Sequence, residues 1–489
     1  MTSPLRARAV RAVAWSFLER IGQQGVQFVI SIVLARLLLP EQFGLIGMLS
    51  VFIEVARSFV DSGLGAALVQ RKNISRADEC SVFYFNLLVG ALCTCLLWAI
   101  APWVAAFYRQ PILTRLTRVL SLTLIINSFA GVQTAILSKR IDFKTLLKVG
   151  MSATVLSGAI GIGMAIAGFG VWSLVAQYLA SSILRTAFLW LRDSWRPRLI
   201  FRFGALRQML GFGSHLLASA LLNRVFENIY MVVIGKLFSA AHLGLYAGAA
   251  KIQRLLIINI AAVITRVTFP VFSEIQDDTV RLKRCMRKGM MALAFVNFPL
   301  MVGLAVVARP LIYVLLTEKW AGAIPLLQLL ALAGLLYPLH SLHLNLLKAK
   351  GRSDLFFRLE VIKRMLIVVL IAITYRWGVT GMIYGQIVMS ILGYFINSFY
   401  TRRLIGYGLV EQLHDLAPYA VVSALMGLGL YGFQCIPSLG YGALLIGQVL
   451  FGIVIYAALS SLFGLSAFAE MVQGIRDGIA PGTISLARS

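Results

Sequence analysis

The chain has 489 residues, of which 59% are hydrophobic and 13% charged, and its formal net charge is +26. A water-soluble chain carries roughly twice that charged fraction, which excludes an ordinary set of soluble domains. The cations do not form a nucleic-acid reader either, because no soluble segment of useful size exists to carry a groove-reading element.

Apolar stretches long enough to cross about 30 Å of hydrocarbon as helices recur from end to end. In chain order they are 12–38, 44–70, 80–104, 113–137, 146–168, 170–191, 206–235, 243–271, 289–308, 323–347, 357–375, 379–400, 414–434 and 441–464, fourteen in all. Arg6, Arg8 and Arg11 precede the first, and Glu19 and Arg20 interrupt it. It therefore reads as a membrane helix, not as a cleaved signal peptide. Gly168-Phe169-Gly170 divides the fifth stretch from the sixth, which fits a tight hairpin or one long kinked helix. Every connection is short, including the largest inner ones at 192–205 and 272–288. Residues after about 465 form a short tail that is expected to fray. Cys80, Cys93, Cys95, Cys285 and Cys435 are odd in number and form no CxxC pair, so they read as small buried hydrophobes.

With the N-terminus placed inside, the inner segments carry twenty-eight Lys and Arg and the outer segments eight. Positive charge marks cytoplasmic loops. The alternation predicts an even number of spans with both termini cytoplasmic.

The sequence also resembles itself at an offset of 200 residues. Val33-Leu34-Ala35-Arg36-Leu37 matches Val233-Ile234-Gly235-Lys236-Leu237, and Phe43-Gly44-Leu45 matches Leu243-Gly244-Leu245. Each pair lies at the short turn between the first two helices of a six-helix set. The repeat divides the chain into a lobe at 1–205, a second at 206–405, and two further helices with a short tail at 406–489. An even repeat gives both copies the same orientation, which suits alternating access to a site between them.

Charges inside the apolar runs are the informative exceptions, since each costs on the order of 2.5–3.5 kcal/mol at the bilayer centre. The first helix holds Arg20, Gln23, Gln24 and Gln27 within about 100° of arc. Glu54, Arg57 and Asp61 share one face of the second. The seventh holds Asn223, Arg224, Glu227 and Asn228, and the eighth Lys251 and Arg254. Two readings stand open. These groups line a shared cavity, or they form interhelical ion pairs such as Arg57 with Glu54 or Arg224 with Glu227. On the cavity reading, Arg20, Gln23, Gln24, Gln27, Arg57, Asn223, Arg224, Asn228, Lys251 and Arg254 would bind substrate. Glu54, Asp61 and Glu227 would bind a coupling ion, H+ or Na+; no other cofactor is expected. Arginine forks match phosphate oxygens and amides suit sugar, which points to an amphiphile with an anionic glycan head. His215, His242, His340, His343 and His414 are scattered, and His340 with His343 reads as packing before it reads as a metal site. No GxxxxGK[ST] sequence is present, so ATP hydrolysis is not expected.

The stretch Ala35-Arg36-Leu37-Leu38-Leu39-Pro40-Glu41-Gln42-Phe43-Gly44-Leu45, followed by Asp61-Ser62-Gly63-Leu64-Gly65-Ala66-Ala67-Leu68-Val69-Gln70, resembles the Wzx-type polysaccharide flippases. The likeness is greatest to their colanic-acid, teichuronic-acid and succinoglycan exporter branch. These belong to the multidrug/oligosaccharidyl-lipid/polysaccharide exporter superfamily. The resemblance implies an all-α integral membrane fold with two six-helix lobes in a V, here followed by two C-terminal helices. It implies outward flipping of undecaprenyl-diphosphate-linked repeat units across the bacterial inner membrane for exopolysaccharide or O-antigen synthesis. A polysaccharide polymerase and co-polymerase are the partners it suggests, with no nucleic acid. The alternatives are a cation-coupled multidrug exporter of the same superfamily, or a membrane glycosyltransferase, which would need a catalytic loop that the sequence does not display.

Overall fold

The structure is a computed structural model in which residues 22–61, 63–71, 74–433 and 440–476 are described. Glu19, Arg20, Cys435 and most of the C-terminal tail lie outside those residues. All regular structure within them is helical. In hydrocarbon this is the expected outcome, because a helix satisfies its own peptide groups where water cannot.

Helix α1 is described over 22–37. It is followed by α2 (Pro40–Asp61), α3 (Leu64–Gln70), α4 (Arg76–Tyr108), α5 (Ile112–Lys139), α6 (Phe143–Ile166), α7 (Val171–Arg192), α8 (Phe203–Glu227) and α9 (Ile229–Leu237). Then come α10 (Ala240–Glu274), α11 (Thr279–Val306), α12 (Ala308–Leu315), α13 (Ala323–Gly334), α14 (Tyr337–Ala349), α15 (Ser353–Thr374), α16 (Gly378–Ile405), α17 (Leu409–Phe433), α18 (Tyr441–Leu462) and α19 (Ser466–Arg476). Local chemistry sets several boundaries. Ser75 and Asp78 form a reciprocal capping box at the start of α4, with bonds of 3.2 and 3.0 Å. Asp142 and Asp278 cap α6 and α11. Between α6 and α7, Gly168 and Gly170 have φ of +83° and +58°. Side chains rarely adopt that backbone region, so the two stretches form a hairpin and not one kinked helix.

Among the described residues, nine spans are long and apolar enough to cross a membrane: α2 with α3, α4, α5, α6, α7, α11, α13 with α14, α17 and α18. The other stretches expected to span fall on α1, α8 with α9, α10, α15 and α16. Of these, α8, α10 and α15 carry the in-helix charges of Arg224 and Glu227, Lys251 and Arg254, and Glu360 and Lys363. The span at 206–235 is broken at Asn228 into α8 and α9. Large apolar side chains cover much of the exterior, with Trp103 69% and Leu462 79% exposed. That is untenable in water and ordinary in lipid.

The chain divides into two compact units, Met1–Gly244 and Leu245–Ser489. In the first, Leu64, Leu68, Phe83, Val132, Trp195 and Leu206 form a buried core, and α8 packs against α2, α3 and α4. The connection from α7 to α8 is tied to α4, since Trp195 Nε1 donates to Glu79 at 2.7 Å and the Arg202 amide donates to Ser81 Oγ at 2.8 Å. In the second unit the core includes Phe272, Met286, Met290, Leu342, Tyr394 and Tyr419. Beside it, Asp415, with a side chain 3% exposed, accepts from Arg287 and from the Tyr407 hydroxyl. Burial first, and the bond to Asp415 second, push the Tyr407 phenol above its ordinary pKa.

The repeated turn motifs meet in space. A β-carbon built on Gly44 would fall 1.7 Å from the carbonyl oxygen of Ala240, and one built on Gly244 would fall 1.8 Å from that of Pro40. The contact is reciprocal at the repeat's own offset, and it is backbone against backbone. Gly44→Ala and Gly244→Ala are therefore each expected to lower the unfolding midpoint of the detergent-solubilised chain, at an overpacking cost of at least about 1–3 kcal/mol. Gly163→Ala enters open space within a helix and should be neutral or slightly stabilising. A thermal melt of all three checks the crossing, and equal midpoints would contradict it. By the same measurement, Asp415→Asn should cost about 1–2 kcal/mol, since its Arg287 partner is only half-buried.

Candidate functional site

The packing of α8 on α2 brings the charges of two helices together. Arg224 Nε lies 3.7 Å from Glu54, and Arg224 Nη1 lies 3.5 Å from Glu227 one turn on. These side chains keep 49%, 35% and 59% of their surface exposed, so the cluster is open to a solute. Farther along the same face of α2, Asp61 experiences the charges of Arg57, Glu54, Arg224 and Arg185. The group thus comprises three guanidinium and three carboxylate side chains. Both readings of the sequence meet here: Arg224 is ion-paired, and it is accessible.

Arg185 was not singled out from the sequence. It stands on α7 seven residues after Tyr178, and therefore on the same helix face, and Tyr178 in turn experiences the Glu54 charge. The signal was present: Arg185 is a lone charge inside the apolar stretch 170–191.

The neutral candidates divide. On α1, Gln24 and Gln27 are half-buried. Gln23 lies over Gly150 of α6, where an added β-carbon would meet its Nε2 at 1.5 Å. Asn223 is exposed on α8. Asn228 donates to the Arg224 carbonyl at 2.9 Å, so it closes the end of the broken helix. Lys251 and Arg254 are exposed on α10 in the second unit. Between them, Gln253 donates to the Leu330 carbonyl at 2.7 Å. Arg20 lies outside the described residues.

In the second unit His340 and His343 lie on α14 beside Asn397 and Thr401 of α16, and Lys363 pairs with Glu360 at 3.5 Å on α15. Among the described residues no group of three His, Cys, Asp or Glu side chains could hold a metal ion.

Residues 33–325 match a family described as polysaccharide biosynthesis protein. The chain belongs to that family. It is 29% identical over 445 residues to the lipopolysaccharide biosynthesis protein WzxC of Escherichia coli (strain K12), covering 88% of this chain and 89% of that one. It is 28% identical over 383 residues to the teichuronic acid biosynthesis protein TuaB of Bacillus subtilis (strain 168), covering 77% and 79%. In fold it is similar to the lipid II flippase MurJ in an inward closed conformation, with a TM-score of 0.75 at 14% identity over 92% of this chain and 98% of that one. The resemblance to Wzx-type proteins read from residues 35–70 agrees with these matches.

The Glu54–Arg224 pair is loose and half-exposed, so its stability contribution should be small. A double-mutant cycle with Glu54→Gln and Arg224→Gln, read by thermal unfolding, should give a coupling below about 1 kcal/mol. A coupling of several kcal/mol would mark the pair as a structural strut.

Proposed function

We propose that this chain is a flippase. It would carry undecaprenyl-diphosphate-linked oligosaccharide repeat units from the cytoplasmic to the periplasmic leaflet by alternating access, supplying exopolysaccharide or O-antigen synthesis. The observation that carries this reading is the accessible cluster of Arg57, Arg185 and Arg224 with Glu54, Asp61 and Glu227 on helices of a membrane bundle. The polysaccharide biosynthesis family supports the substrate class. So do the names of relatives concerned with lipopolysaccharide and teichuronic acid. The MurJ-like fold supports a lipid-linked cargo.

On this reading the chain has fourteen spans in two six-helix lobes, 1–205 and 206–405, with two further helices at 406–489. Both termini face the cytoplasm of a bacterial cell. Arg224 shares its charge between two carboxylates when empty, and a diphosphate competes for the same guanidinium. In the first unit the amides of Gln23, Gln24, Gln27 and Asn223 extend the binding face, and Lys251 and Arg254 on α10 are the cations that the second unit would offer. Outward movement of an anion is favoured by about 2.3 kcal/mol per charge per 100 mV when the interior is negative. Glu54, Asp61 and Glu227 would bind H+ or Na+ and reset the empty carrier. A multidrug exporter of the same fold would need a carboxylate open to an organic cation, whereas Glu54 and Glu227 both engage Arg224.

Deleting the gene should remove one surface glycan and leave its lipid-linked unit on the cytoplasmic side. Complementation with Arg57→Glu, Arg224→Glu or Arg254→Glu should reduce export by at least about 10-fold, the equivalent of one lost charged contact. Export that survives all three reversals would place the site elsewhere. Glu54→Gln, Asp61→Asn and Glu227→Gln combined should stop turnover; if flipping driven by the potential continued at full rate, these carboxylates would have no coupling role.

A further inference from the structure

In the first unit α5 and α7 form a groove for which the charges of α2 and α8 give no account. It holds about 440 Å³ and is lined by Ile126 and Phe129 of α5 and by Ile183, Thr186, Ala187 and Trp190 of α7. The two helices run side by side in the same direction. Thr186 Oγ1 donates to the Ile126 carbonyl at 3.1 Å, and one turn on Trp190 Nε1 donates to the Phe129 carbonyl at 3.1 Å. Both polar groups of the lining are thereby turned inward, and the groove presents hydrocarbon alone. Ile183 and Ala187 are exposed in it. Trp190 is braced by Phe83 and Phe129, with ring centroids 6.3 and 6.4 Å away. At 100° per residue the four α7 positions centre about 150° around the helix from Arg185. The groove therefore lies on the side of α7 turned away from the charged cluster.

One end of the groove is cationic. The Arg196 guanidinium stands over the Trp190 ring, 5.3 Å from its centroid. Its Nη1 donates to the carbonyls of Asp193 and Trp195 at 2.6 and 2.7 Å, and its Nη2 to that of Trp190 at 2.6 Å. A cation at the end of α7 satisfies carbonyls and the helix dipole, which accounts for those three bonds. Two of its five N–H groups remain, and Arg196 is exposed. The carboxylates nearby are engaged elsewhere: Asp193 pairs with Arg140 at 3.5 Å, and Glu79 accepts from Trp195. A second cation adjoins, since Arg76 Nη2 donates to the Arg196 carbonyl at 3.2 Å.

The segment that follows fixes the depth of this end. Leu199, Phe201 and Phe203 are 95%, 53% and 66% exposed, and Arg198 and Arg202 stand among them, also exposed. Bare apolar side chains alternating with arginines suit the boundary where hydrocarbon meets headgroups. Arg196 stands at that boundary. The groove leads from it along α7 toward Ile183, about 10 Å into the hydrocarbon.

We propose that α5, α7 and Arg196 form a site for one anionic phospholipid, with an acyl chain in the groove and the phosphate on the guanidinium. The unused N–H groups would donate to phosphate oxygens. A choline headgroup would bring its own cation against Arg76 and Arg196, so the site favours a headgroup without one. The carried solute is not the occupant, because a head held at Arg196 lies away from the Arg185 side of α7. A lipid seated here would fasten α5 to α7. The proposal goes beyond the flippase reading and stands whatever solute is carried.

Native mass spectrometry of the purified full chain in detergent, titrated with dioleoylphosphatidylglycerol or dioleoylphosphatidylcholine, tests it. The wild type should bind the first phosphatidylglycerol more tightly than the first phosphatidylcholine. Arg196→Gln should lower the phosphatidylglycerol affinity by about 10-fold, the equivalent of one charged contact, and leave phosphatidylcholine unchanged. Ala187→Trp fills the groove, leaves every bond of Arg196 in place, and should weaken the binding of both lipids. It keeps the test valid should Arg196→Gln loosen the end of α7. Equal affinity of the wild type for the two lipids would overturn the proposal, as would a phosphatidylglycerol affinity unchanged in Ala187→Trp. Undecaprenyl phosphate binding more tightly than phosphatidylglycerol, and losing that affinity in Ala187→Trp, would give the groove to the carried lipid and overturn it too.

Discussion

Hydrocarbon offers a peptide group nothing to bond with, and each unpaired one costs several kcal/mol there. This constraint explains more of the molecule than any single contact. It makes the described chain wholly helical, and it dictates what must stand beside every helix that breaks. Where α13 stops before α14, Asn297 of α11 donates to the freed carbonyls of Gly334 and Leu335 at 3.2 and 2.7 Å. Where α8 stops before α9, Asn228 serves the Arg224 carbonyl. Gln253 and Gln448 donate to the carbonyls of Leu330 and Leu430, which lie within α13 and α17. The buried amide of Asn297 is therefore first of all a repair to a broken helix. An apolar residue in its place would leave those carbonyls stranded.

The same medium makes charge expensive, and the way each charge is held separates structure from function. Asp415 is almost wholly covered and receives both a guanidinium and a phenol, an arrangement that fixes α11, α17 and the turn before α17 in one geometry. Glu54 and Glu227 are treated differently. They remain accessible and reach Arg224 only at ion-pair distance. The first is a closed network whose value lies in not changing, and the second is left able to change partners.

The helices were legible because lipid-facing and core-facing residues are both apolar, so length alone reveals a span. The hairpin at Gly168 and Gly170 was half-legible: the glycines marked a turn, but only their positive φ values decided against a kink. The breaks at Asn228 and after Gly334 were not read from the sequence; the amide that serves the first is Asn228's own, and the second is served from another helix by Asn297. Glu54, Arg57, Asp61 and Arg224 were found as charges in apolar runs, and the structure gathers them. Arg185 was passed over because it stands alone on its helix, and its companions belong to α2 and α8. Gln23 and Asn228 were chosen for polarity, yet both make local structural contacts, a distinction that residue type does not encode. The self-similarity around Gly44 and Gly244 was weak as sequence. It gains meaning because each glycine lies against the backbone of the other's turn, at Ala240 and at Pro40, where a side chain would not fit.

The distances around Arg224 bear on how a carrier could release what it binds. At 3.7 and 3.5 Å both carboxylates stand beyond the length of a charge-assisted hydrogen bond to Arg224. A diphosphate could make such bonds with the guanidinium fork and displace two loosely held carboxylates. Those carboxylates, freed beside Asp61, would then repel one another and the bound head. That repulsion limits how tightly the anion can be held, and protonation or a sodium ion would relieve it. A purely cationic pocket would bind a diphosphate more tightly and release it more slowly. The balanced cluster of three guanidinium and three carboxylate groups therefore suits a solute that must enter on one side of a membrane and leave on the other.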